Sequence, residues 1–187
     1  RGELGCANDA IVALFVGSGF RIKGLDRALT AVAANSPSAS NFEFWIVGKG
    51  KTKRYKKLIE NAKVPVRILG GRADVDRFYQ AADFLFHPAY SESAGKVLLE
   101  AMTHGLPVLA TDTCGYGFHI EKAGGGIVLK SPYTQKACNQ TLRNFIEDSD
   151  ARQRWSKAAL KYTKETDLYS CHQAAATQIE KILERGR

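Results

Sequence analysis

The chain has 187 residues, 44% of them hydrophobic and 25% charged, with a formal net charge of +8. That length fits one domain with room for a sizeable core. No apolar run reaches the roughly 20 residues of a membrane-crossing helix, and the N-terminus lacks the pattern of a secretory signal.

In chain order, Ile11–Val16 is an apolar run closed by Gly17-Ser18-Gly19, which predicts a buried strand ending in a tight loop. Residues 25–34 carry apolar positions at helical spacing, Phe42–Val47 predicts a second strand, and residues 54–62 a second helix. Residues 66–69 predict a third strand, 75–82 a short helix and Phe84–His87 a fourth strand. A helix over 94–104, a fifth strand Val108–Thr111 and a sixth, Gly126–Leu129, follow. From residue 135 the pattern is helical to the end, broken near Ser149-Asp150 and again at Asp167-Leu168.

Short strands that are apolar on both faces and alternate with helices predict a parallel sheet covered on both sides. The expected fold class is therefore α/β, a doubly wound, Rossmann-like domain. Ligands in such sheets sit beyond the carboxyl ends of the strands, at the point where the strand order reverses. That singles out the loops at 17–23, 48–53, 70–73, 89–95 and 112–117.

The stretch "HPAYSESAGKVLLEAMTHGLPVLAT", residues 87–111, carries the most chemistry, with Glu92 and Glu100 eight positions apart. Ser93 is a fair N-cap, and Ala94-Gly95 lets the next amides approach a ligand closely. A helix N-terminus suits an anion such as phosphate. A carboxylate accepts two hydrogen bonds side by side, which suits a vicinal diol. Spacing alone fits equally well two solvent-facing helix glutamates.

The remaining features are weaker. The basic run "KGKTKRYKK", residues 49–57, fits nucleic acid, anionic lipid head groups, a phosphorylated substrate or simply a solvated helix face. Asp74-Val75-Asp76 spells a D-x-D metal motif, but at a helix start an Asp serves as a cap and complements the dipole. The four cysteines, Cys6, Cys114, Cys138 and Cys171, form no C-x-x-C pair and read as free thiols of a reducing cytoplasm. His87, His104, His119 and His172 have no metal-ligand spacing; His87 is expected at a strand end near the cleft and His119 in a loop beside it. There is no G-x-G-x-x-G after the first strand, no Walker A loop and no nucleic-acid recognition motif.

"ESAGKVLLEA" followed by "HGLPVLAT" resembles the E-x7-E motif of retaining glycosyltransferases of the GT-B fold, family 4. "VGSGFRIKGLDRAL" is similar to that family's first donor loop, "FWIVGKG" to its second, and "AADFLFHPAY" to the strand before the motif. The resemblance runs from Arg1 to about Ile182 and covers the family's C-terminal, donor-binding half. Within the family, "HPAY…AGKVLLEA…GLPVL…CGY" is most similar to the branch that adds glucose from UDP-glucose to a heptose of the lipopolysaccharide inner core.

The resemblance implies that Glu92 touches the donor hexose and Glu100 the ribose. Gly95, Lys96 and Val97 would offer backbone amides to the diphosphate, with Lys23 neutralising it and Gly17 letting the first loop approach. Ser18 stands where many relatives have arginine, Arg21 would supply that charge, and Arg72 would sit by the base. It further implies no metal, no nucleic acid, and a cytoplasmic protein peripheral to the inner membrane, whose anionic surface is a possible partner. The core acceptor would be bound by an N-terminal domain that this chain lacks, so transfer by the chain alone is not expected. Two alternatives stay open: the donor domain of another family 4 glycosyltransferase, and a nucleotide-sugar-binding module without catalysis.

Overall fold

The computed structural model describes residues 1–36, 41–168, 170, 176, 177, 179, 181 and 182. Most of the helical stretch expected beyond Leu168, with Cys171 and His172, lies outside the described residues.

Six strands form one sheet: β1 (Ile11–Val16), β2 (Phe42–Val47), β3 (Val66–Gly70), β4 (Phe84–His87), β5 (Val108–Thr111) and β6 (Gly126–Leu129). Their order is β3-β2-β1-β4-β5-β6 and every pairing is parallel. This is the doubly wound architecture expected, and the strand order reverses between β1 and β4. Helices α1 (Leu25–Asn35), α2 (Lys56–Asn61) and α3 (Val75–Ala81) follow the first three strands, and α4 (Lys96–Thr103) and α5 (Gly117–Ala123) the next two. Two longer helices, α6 (Gln135–Glu147) and α7 (Ser149–Glu165), follow β6.

The sheet needs cover on both faces because its strands point apolar side chains both ways. Ala13 and Phe15 of β1 pack with α1 and α6, including Leu29, Leu142 and Phe145. Val12, Leu14 and Val16 pack with the opposite layer, including Phe78 of α3, Leu98 of α4 and Ile120 of α5. Cys6, Cys114 and Cys138 are free and buried.

Two elements differ from expectation. Helix α4 begins at Lys96, not at residue 94, and its N-cap is Gly95 at φ 88°, so Ser93 does not cap it. The backbone before it is used elsewhere. Glu92 N–H donates to Thr113 O at 3.2 Å, Gly115 N–H to Glu92 O at 3.0 Å, and Tyr116 N–H to Ala94 O at 2.7 Å. Helix α5 has no counterpart among the elements the sequence predicts, which place a loop at 112–117 and nothing between it and the sixth strand. The signal available was Gly124 in the left-handed region at φ 62°, a helix-ending conformation that glycine favours.

Candidate functional site

The site grows from the crevice between β1 and β4. The loop after β1 presses against those after β4 and β2 at places where no side chain fits. A Cβ on Gly24, itself at φ 74°, would lie 2.0 Å from Pro88 O, and one on Gly48 2.0 Å from Gly17 O. The loop after β4 is anchored at one carbonyl. Ala89 O accepts from Thr111 Oγ1 and Thr113 Oγ1, each at 2.8 Å, and from the Arg27 guanidinium at 3.0 Å. That guanidinium lies between the rings of Tyr90 and Tyr133, 3.6 and 3.8 Å from their centroids. Nothing in the sequence pattern pointed to Arg27, because its partners come from two distant segments, residues 88–90 and 133–135.

Held this way, the Glu92 carboxylate meets Lys23, whose ammonium donates to Glu92 Oε2. The pair is partly shielded, with side chains 21% and 15% exposed. His87, the last residue of β4 and wholly buried, places Nε2 3.6 Å from the same carboxylate oxygen. The His87 ring and the Lys23 ammonium together outweigh burial and hold the Glu92 carboxyl at about 2. Gly17 completes the wall: a Cβ there would lie 3.5 Å from Lys23 Cγ and 4.0 Å from His87 Cε1. Gly95 supplies no side-chain cap, so α4 opens with the amides of Lys96 and Val97 free of a capping acceptor. Those amides and the helix dipole make a positive end beside Glu92.

Glu100, in the second turn of α4, is anchored to α3. The Tyr79 hydroxyl donates to Glu100 Oε2 at 2.9 Å, and the Tyr79 ring stacks on His104 at 5.2 Å. Burial and the neighbouring Glu100 raise the pKa of that hydroxyl, which keeps it a donor. The alternative of two solvent-facing glutamates therefore fails, since both are only partly exposed and both have protein partners.

A cavity of about 470 Å³ opens beside this crevice, lined by Gly17, Ser18, Gly48, Lys49 and Arg72 among others. Ser18 Oγ accepts from Lys49 N–H at 3.2 Å, tying the first two loops together. Arg72 is exposed and forms a two-pronged pair with Asp74, both contacts at 2.8 Å. Asp74 stands at the N-cap of α3 but makes no capping hydrogen bond, because its carboxylate is engaged by Arg72. Arg21 is exposed and lines the adjoining hollow with Phe20 and Arg54. Of the singled-out residues, Gly17, Lys23, Glu92 and Gly95 converge directly, and Ser18 and Arg72 share the neighbouring cavity.

His119 corrects an expectation. It lies in α5, where burial lowers its pKa, with Nδ1 2.8 Å from the Tyr162 hydroxyl of α7. It joins two helices instead of lying free in a loop. Asp76 of the D-x-D triplet is exposed, 3.5 Å from His104 Nε2. Among the described residues, no three His, Cys, Asp or Glu side chains gather to hold a metal ion, and no helix is long and apolar enough to cross a membrane.

Fold and crevice together define a doubly wound α/β domain whose switch point presents a lysine, a carboxylate and an open helix N-terminus. Residues 1–162 match the family model described as "Glycosyl transferases group 1", and the chain belongs to that family. It is 42% identical over 166 residues to the lipopolysaccharide glucosyltransferase WaaG of Escherichia coli strain K12, covering 87% of this chain and 44% of the relative. The chain thus spans less than half the length of that relative. To a D-inositol 3-phosphate glycosyltransferase of Streptomyces coelicolor it is 30% identical, over 95% of this chain and 41% of the relative. A crystal structure of WaaG, "a glycosyltransferase involved in lipopolysaccharide biosynthesis", superposes with a TM-score of 0.89 at 40% identity, over 94% of this chain and 48% of that one. A structure of Anabaena HepE "in complex with UDP and glucose" superposes at 0.81 with 22% identity, over 97% of this chain and 51% of that one, a likeness of fold.

Proposed function

We propose that this chain is the donor-binding half of a retaining glycosyltransferase that moves glucose from UDP-glucose to a heptose of the lipopolysaccharide inner core. The observation that carries the reading is the Lys23–Glu92 contact at the switch point, where a phosphate-seeking cation and a hydroxyl-seeking carboxylate stand side by side. The similarity to a lipopolysaccharide glucosyltransferase supports the choice of sugar and acceptor.

On this reading Lys23 and the amides of Gly95, Lys96 and Val97 bind the diphosphate, and Gly17 and Ser18 let the first loop close on it. Glu92 takes hydroxyls of the hexose and Glu100 those of the ribose, with Arg72 beside the base and Arg21 adding charge at the rim. As the glycosidic bond to the diphosphate breaks, negative charge grows on the leaving group. Lys23 and the α4 N-terminus stabilise it through pre-set dipoles. In a retaining reaction of this kind the departing diphosphate takes the acceptor proton on the face it leaves. The chain spans less than half the length of the glucosyltransferase it resembles, so on this reading the acceptor is bound outside these 187 residues, which supply the donor site. The exposed lysines and arginines of residues 49–57 would hold the cytoplasmic protein to an anionic membrane surface. Flotation with anionic liposomes should then occur at low salt and disappear at high salt.

Calorimetry with UDP and UDP-glucose, with and without a chelator, tests the donor site. Binding of both should persist in chelator, since the phosphate partners are Lys23 and backbone amides. Binding that vanishes with the chelator would refute this metal-free site, and absence of binding under either condition would end the donor reading.

A further inference from the structure

Tyrosine, tryptophan and cysteine aside, three described polar residues are buried: Asn35, His87 and Thr111. Asn35 and Thr111 make hydrogen bonds to backbone carbonyls. His87 alone has both ring nitrogens without a hydrogen-bond partner among the described residues. Its ring stacks on Phe15 at 6.0 Å, and its backbone pairs in register with Ala110 of β5. A phenylalanine would meet those packing demands without burying two polar atoms. The imidazole needs a polar explanation, and Glu92 Oε2 lies 3.6 Å from Nε2, just outside hydrogen-bond reach.

That oxygen is also the acceptor for Lys23. One carboxylate oxygen therefore faces two donors, a flexible ammonium and a ring locked in the core. By the function proposed above, on which this inference rests, Lys23 is drawn to the donor diphosphate. A partly buried carboxylate that loses its cation must find another partner or turn toward water. We infer that His87 is a positioning residue: through Nε2–H it holds Glu92 in the orientation that reads the donor hexose once Lys23 engages the diphosphate. The neutral ring suffices, since one nitrogen carries the proton toward Glu92 and the other needs none.

The test compares affinities of the whole chain for UDP and for UDP-glucose. Wild type should bind UDP-glucose more tightly than UDP. His87→Phe keeps the stack on Phe15 and removes the donor. It should leave UDP affinity within about twofold and lower the UDP-glucose preference by about tenfold, the scale of a hydrogen bond to a charged group. Glu92→Gln should lose the same preference, and the double variant should lose no more, as expected when two residues act as one unit. His87→Gln, which restores an N–H donor, should recover part of it. A His87→Phe protein that keeps its hexose preference, or that loses UDP and UDP-glucose equally, overturns the inference and leaves His87 a packing residue. A wild type with no preference for UDP-glucose over UDP overturns it together with the reading of Glu92 as the hexose ligand. If His87→Phe does not fold, nitrogen-labelled histidine spectra of wild type serve instead. The His87 Nε2 signal should move to a hydrogen-bonded position on adding UDP, and a signal that stays in place refutes the inference.

Discussion

Two cation–carboxylate pairs stand at the carboxyl edge of the sheet, and they differ in what surrounds them. Arg72 and Asp74 are two residues apart in one turn, with side chains 39% and 34% exposed. Lys23 and Glu92 come from loops after different strands and are 21% and 15% exposed. The first pair holds a turn in water, where its hydrogen bond and charge lower the Asp74 pKa but solvent screens most of the interaction. The second is enclosed by Gly17, Gly95 and the buried His87, and there the Glu92 carboxyl is held at about 2. Similar charges thus differ in strength according to how far the fold shields them from water.

The comparison breaks most visibly at two glycines. Gly24 and Gly70 have φ angles of 74° and 71°, so an alanine at either is strained by roughly 1–2 kcal/mol. At Gly70 a Cβ meets nothing within 4 Å, whereas at Gly24 it would lie 2.0 Å from Pro88 O. Overpacking adds about 1–3 kcal/mol there. Gly24→Ala should therefore lower the urea midpoint well beyond Gly70→Ala. Equal losses would show that close approach of the two loops is not what shelters the Lys23–Glu92 pair.

Acid sharpens the comparison next. The ordinary carboxyl value of 4.5 falls to about 2 for Glu92 in the fold. Stability from a depressed carboxyl is complete above the unfolded value and drains away as pH falls through the folded one. On the order of 2–3 kcal/mol should therefore be lost in total, between about pH 4.5 and pH 2. Denaturant melts across that window should show a slope in wild type that flattens in Glu92→Gln. Asp74→Asn, at the exposed pair, should leave the slope as it was. If Asp74→Asn flattens it as much as Glu92→Gln does, the sheltered pair has no special weight.

The smallest effect concerns Glu100, which shares features of both pairs. With one oxygen already given to Tyr79, its contribution to UDP binding should be about 1.5–2 kcal/mol, read as the loss in Glu100→Ala by calorimetry. Unchanged UDP affinity would remove Glu100 from the site. Glu100→Ala also leaves the buried Tyr79 hydroxyl without its acceptor, so a thermal melt must accompany the titration.

By itself the sequence determined the α/β class, and five of the six strands to the residue, because a buried parallel strand is a short apolar run between glycines or polar turns. The E-x7-E spacing and the glycines of the first loop were equally legible, since both are local. Tertiary structure alone decided the strand order, and with it that the loops after β1 and β4 face one another across the switch point. It also decided that α4 starts at Lys96, because residues 92–94 bond to the loop after β5 before any helix can claim them. Tyr79 beneath Glu100, Arg27 between two tyrosines and His87 beside Glu92 are meetings of segments distant in the chain. No periodicity or motif encodes such meetings; packing of the sheet's two faces brings them about, and burial then sets their strength.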